Sequence, residues 1–286
     1  MPAGPRCEAF FAEFGPSAID RRFCIWHEPS AGETRGVVVH VHPFAEEVNK
    51  CRRMAALGAR ALAERGFAVL QVDLLGCGDS AGEFEDAAWT PWIADVVAAA
   101  ELAYARVARR EGGGPDLWLW GTRVGCLVAA AALQRLPRPA HQLFWQPVVN
   151  GRQALQQFLR LKTAGALGMG DPKAVLEEVR SDLAAGRAVD VAGYRLSAAL
   201  SAGLESARVE PAPGQGGRLV WLEVDSRPAP ELLPASRSVL AAWQAAGWTC
   251  DAAAVAGPPF WSTVEIEDAP LLVRATVERM CAPEPA

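Results

Sequence analysis

The chain has 286 residues, of which 51 % are apolar and 21 % charged, with a formal net charge of −5. That length allows one large domain or two small ones with ample core, and a mildly acidic balance without a basic stripe argues against a nucleic-acid partner. Seven scattered cysteines with no CxxC pair argue against a disulfide framework, and four histidines without zinc-type spacing argue against a metal; no cofactor is expected.

Short β-type runs alternate with longer helical stretches, the pattern of a mostly parallel α/β sheet. Runs at 8–14 and 21–27 predict an antiparallel start, and GVVVHVH at 36–42 a buried strand. A helix follows over about 49–65, then a strand at 68–74, a glycine loop GCGDSAGEF, and a helix over about 89–110. Strands are expected at 117–121, 142–148, 219–225 and 249–255, with an apolar helix from Val124 to Leu136 and covering helices near 231–246 and 269–281. The stretch 152–217 breaks the rhythm. It carries helical patterns and no good strand, and reads as a helical cap inserted between the core segments 1–151 and 218–286, above the strand ends.

No apolar run reaches the roughly 20 residues needed to span a bilayer. The first fifteen residues contain acids and lack a cationic-then-apolar signal pattern. No transmembrane segment and a cytoplasmic location are therefore expected.

The central strand ends in Gly121-Thr122-Arg123-Val124-Gly125, between LWLW and CLVAAAAL. Strand, tight turn and apolar helix form the setting of the G-x-S-x-G nucleophile elbow, here with arginine in the nucleophile slot. A guanidinium stays protonated at neutral pH and cannot attack a carbonyl. A catalytic histidine belongs after the last strand, but that stretch reads GPPFWS; an acid belongs after the 219–224 strand, where Asp225 stands. Two members of a Ser-His-Asp triad are thus missing.

The segments HPFAEEVNKCRRM at 42–54, DLLGCGDSAGEF at 73–84, LWGTRVG at 119–125 and GPPFWSTVEIEDAP at 257–270 make the chain resemble the α/β-hydrolase fold. More narrowly, the chain resembles the exosortase A system-associated hydrolase 2 family. The resemblance implies an α/β-hydrolase fold, with a mostly parallel central sheet, helices on both faces and a helical cap insertion. It also implies a bacterial setting of exopolysaccharide production and sorting of PEP-CTERM proteins.

Arg123 has two readings: an anion site together with the adjacent helix N–H groups, or a buried cation neutralised by Glu46 or Glu47. The candidate binding set is Arg123, His42, Phe44, Glu46, Glu47, Asn49, Lys50, Thr122 and Trp261, and the expected ligand is an anionic small molecule or an exopolysaccharide-pathway protein. His42 is expected to fix its loop through backbone hydrogen bonds. A hydrolase of unusual mechanism is the alternative, with Glu46 or Glu47 activating water, Arg123 holding the oxyanion, and Asp225 as a further catalytic candidate.

Overall fold

The computed structural model describes residues 6–30, 34–111, 114–165 and 171–282. The antiparallel hairpin β1 (Cys7–Glu13) and β2 (Arg21–His27) opens the chain. The core then runs β3 (Gly36–Val41), α1 (Glu47–Glu64), β4 (Phe67–Val72), α2 (Trp89–Glu111), β5 (Leu117–Thr122), α3 (Gly125–Leu133) and β6 (His141–Trp145). The stretch expected to be a cap holds α4 (Gly151–Gly165), α5 (Pro172–Ala184), β7 (Val189–Val191), β8 (Tyr194–Leu196) and α6 (Ala198–Ser206). The core resumes with β9 (Arg218–Asp225), α7 (Pro234–Ala245), β10 (Thr249–Ala256) and α8 (Pro270–Met280).

Eight strands form one sheet in the order β1-β2-β4-β3-β5-β6-β9-β10. β2 pairs antiparallel with β4, and every pairing from β4 to β10 is parallel. Central strands covered on both faces read as continuous apolar runs; all six residues of β3 are buried. One apolar cluster joins the sheet to α1 and α8, and the other joins it to α2, α3 and α7. α3 is apolar on every side, as suits a helix enclosed in the core, and eight of its residues are buried.

The 152–217 stretch is mostly helical but, against the expectation that it holds no strand, β7 and β8 pair there as a short antiparallel hairpin. Each strand has three residues, too few to show an alternating pattern. The cap's apolar residues, among them Leu155, Phe158 and Leu200, are continuous with the α2 and α3 core. Phe158 packs edge-on against Phe44 with centroids 4.9 Å apart, and Tyr194 against Phe84 at 5.0 Å. The cap therefore rests on the loops that leave β3 and β4, at the C-terminal edge of the sheet, where open α/β folds bind ligands.

Candidate functional site

The turn from β5 into α3 is built by close backbone approach. A Cβ on Gly121 would lie 2.5 Å from Cys126 Cα, and one on Gly125 would overlap the carbonyl oxygens of Val41 and His42. Between them Arg123 takes φ +56°, a left-handed conformation that L-residues seldom hold. Its N–H donates to the Trp145 carbonyl at 2.9 Å, and its own carbonyl accepts from the Cys126 N–H at 3.1 Å. The strained apex of the elbow thus presents a guanidinium.

That guanidinium meets Glu47 in the first turn of α1. Arg123 Nη2 donates to Glu47 Oε1 at 3.0 Å, and Nε lies 3.2 and 3.3 Å from the two carboxylate oxygens. The side chains are only 16 % and 21 % exposed, so water screens the pair weakly. On its other side Arg123 stands 4.9 Å from the Trp261 ring centroid, a cation–π distance. Trp261 lies just past β10, so the loop between β10 and α8 reaches the elbow.

Phe44, Glu46, Glu47 and Arg123 line a cleft of about 160 Å³, completed by Val124, Val148, Ala154, Gln157, Phe158 and Leu161. Burial and the neighbouring Glu47 carboxylate raise the Glu46 pKa above its ordinary value, against the pull of Lys50. Of the sequence candidates, the structure brings Phe44, Glu46, Glu47 and Arg123 together, with Trp261 behind the guanidinium. Ala154, Gln157, Phe158 and Leu161 of α4 complete the wall; their signal in the sequence is the helical spacing of apolar residues within the 152–217 stretch.

The other candidates lie elsewhere. Thr122 is buried, its Oγ1 3.2 Å from His40 Nε2, because strand alternation turns it away from its neighbour. Asn49 is exposed on α1 outside the cleft lining. Lys50 Nζ donates to the Thr263 and Val264 carbonyls at 2.6 and 2.9 Å. Asp225 accepts from Arg227 Nη2 at 2.6 Å and from the backbone N–H groups of Arg227 and Glu231. These bonds hold its carboxyl well below the usual range and tie it to its own loop. Cys126, beside the elbow, is fully buried, and burial pushes its thiol pKa up, which disfavours the thiolate.

His42 fixes its loop as expected. Its Nδ1 donates to the Pro43 carbonyl at 2.6 Å, and its Nε2 accepts from the Leu74 N–H at 3.2 Å. None of the four histidines reaches the elbow apex as a base. His27 bonds Gln71, His40 bonds Thr122, and His141 Nδ1 accepts from the Arg218 N–H.

Burial, with smaller contributions from His42 and Arg52, lowers the His40 pKa to about 3. The unfolded chain therefore binds a proton below about pH 6.5 that the folded chain refuses. Stability is full above that pH and falls as pH drops toward 3; between pH 7 and 5, His40 alone contributes a loss of about 2 kcal/mol. Denaturant unfolding at the two pH values checks this, and a His40→Gln variant should show a shallower fall.

Comparison with known proteins agrees with this geometry. The family described as "Serine aminopeptidase, S33" matches residues 32–182, more than half of the chain. The chain belongs to that family of α/β-hydrolases. Among solved structures it is similar to Est1E from Butyrivibrio proteoclasticus, at 16 % identity and TM-score 0.59, covering 97 % of this chain and 98 % of that one. It is also similar to XC6422 from Xanthomonas campestris, described as an α/β serine hydrolase without lid, at 15 % identity and TM-score 0.52, covering 100 % and 99 %. A monoglyceride lipase variant from Saccharomyces cerevisiae matches at 10 % identity and TM-score 0.59, covering 98 % and 96 %. At these identities the likeness establishes the α/β-hydrolase fold. No curated protein sequence matches the chain. Among the described residues, no helix is long and apolar enough to cross a membrane.

Proposed function

We propose that this member of the family binds a small anionic molecule, or a pathway partner presenting an anionic group, in the Arg123 cleft and does not act as a serine hydrolase. The observation that carries the reading is Arg123 at the apex of the elbow, with φ +56° and its side chain sheltered at the cleft. A residue held in a strained conformation at a pocket marks a functional position more often than a structural one. Nε and Nη2 engage Glu47, which leaves Nη1 as the donor edge for an incoming carboxylate or phosphate. Such an anion faces Glu46 and Glu47 as well, so it competes with them for the guanidinium. The apolar wall of Phe44, Val148, Phe158 and Leu161 suits an alkyl or aryl group attached to the anion. The resemblance in the segments at 42–54 and 257–270 supports a role beside exopolysaccharide production and exosortase A sorting.

Isothermal titration with butyl phosphate and with butyrate tests the binding. The expected result is saturable binding that weakens at least tenfold in Arg123→Lys, which keeps the charge but loses the planar fork. Equal affinity in the two proteins would remove Arg123 from the site. One observation favours the second reading, a hydrolase of unusual mechanism: the raised pKa of Glu46 suits a general base facing the cleft. On that reading the protein turns over esters, and Glu46→Gln abolishes the turnover.

A further inference from the structure

The face that carries α1 and α8 has two features that the cleft does not use. The loop between β10 and α8 exposes Val264 at 89 % and Ile266 at 61 %. Single exposed apolar side chains are ordinary, but this loop is fastened at both ends. Lys50 Nζ holds the carbonyls of Thr263 and Val264, and Arg53 forms a two-pronged pair with Asp268 at 2.7 and 2.8 Å. Two β-branched side chains are thus held in water on an ordered segment, with Glu265 and Glu267 beside them. The result is a knob with an apolar tip and acidic flanks.

Farther along α1, an open groove of about 670 Å³ runs between α1 and α8. Leu57, Val273 and Val277 give it an apolar floor; on its walls Arg274 pairs with Glu278 at 3.6 Å, and Arg60 and Arg65 outnumber Glu64. At 1.5 Å per residue, Arg60 and Arg65 lie roughly 10–20 Å along α1 from the Arg53 anchor of the knob. Knob and groove therefore share one face and have complementary polarity and opposite charge.

We propose that the occupant of the groove is a second copy of this chain. The knob of each copy enters the α1–α8 groove of the other about a two-fold axis, with the two α1 helices antiparallel. Because both features lie on the same pair of helices, one rotation satisfies both contacts and the assembly closes as a dimer rather than a fibre. Val264 and Ile266 leave water against Leu57, Val273 and Val277, while Glu265 and Glu267 meet the arginine rim.

Light scattering after size exclusion, in reductant because Cys7 is exposed, tests this. The expected mass rises with concentration from 30.5 kDa to twice that value. Val264→Asp with Ile266→Asp should give a monomer at every concentration, with the melting temperature that the unaltered protein shows when dilute. Glu265→Arg with Glu267→Arg should weaken the dimer at least tenfold. Adding Arg60→Glu and Arg274→Glu to that chain should restore it. A mass fixed at 30.5 kDa, a dimer indifferent to the knob variants, or a charge-swapped chain that stays monomeric would each overturn the proposal.

Discussion

Gly125→Ala is expected to destabilise the protein by about 3 kcal/mol or more, or to prevent folding. The methyl group would overlap the Val41 and His42 carbonyl oxygens, which are backbone atoms of a fully buried strand and of the loop that leaves it. Neither can move without shifting β3 against β5. Val38, Trp118 and Trp120 are buried there to within 2 %, and cores of that density transmit strain rather than absorb it. Gly186→Ala is the control. Gly186 has open space around its Cβ position, so only its φ of +80° opposes the change. The cost there should be about 1 kcal/mol. Denaturant midpoints of the two variants compare packing with backbone strain directly, and equal midpoints would mean that the elbow is looser than its geometry shows.

Removing Glu47 should be the next most costly change near the cleft. Glu47→Ala leaves a guanidinium sheltered between the Trp261 ring and the cleft wall, with its main counter-charge gone. Breaking a fully buried pair costs about 3–5 kcal/mol; here the partners keep some exposure, so about 1–3 kcal/mol is expected. Arg123 behaves asymmetrically. Arg123→Ala loses the pair and keeps the left-handed strain, whereas Arg123→Gly loses the pair and relieves the strain. The glycine variant should therefore be the more stable by about 1 kcal/mol. A double-mutant cycle with Glu47→Gln isolates the pair itself, and a coupling indistinguishable from zero would show that the contact carries no energy.

The sheet was legible because strands buried on both faces leave unbroken apolar runs. GVVVHV and LWLWG could be read directly, and the antiparallel start at 21–27 followed from its β-type run before the first buried strand. The cap hairpin was not, since Val189–Val191 and Tyr194–Leu196 carry too few residues for a period to register. At the site, the G-x-R-x-G elbow and the two glutamates of HPFAEE were visible as neighbours in the fold, and the counter-charge to Arg123 was expected on physical grounds alone. The choice of Glu47 over Glu46 needed the helix geometry. Lys50 misled because it stands on the same helix three residues after Glu47, yet its partners lie more than two hundred residues along the chain. Thr122 misled for a local reason: adjacent residues at a strand end face opposite ways, so the neighbour of a cleft residue is a core residue.

The account turns on a guanidinium occupying the nucleophile slot with no histidine after β10, and a fluorophosphonate serine-hydrolase probe examines that chemistry most directly. Purified protein incubated with the probe and read as intact mass should show no adduct, and Arg123→Ser should gain at most slow, substoichiometric labelling, because a serine there has no histidine to take its proton. Stoichiometric modification of the unaltered protein at any serine would contradict the account and restore a serine hydrolase.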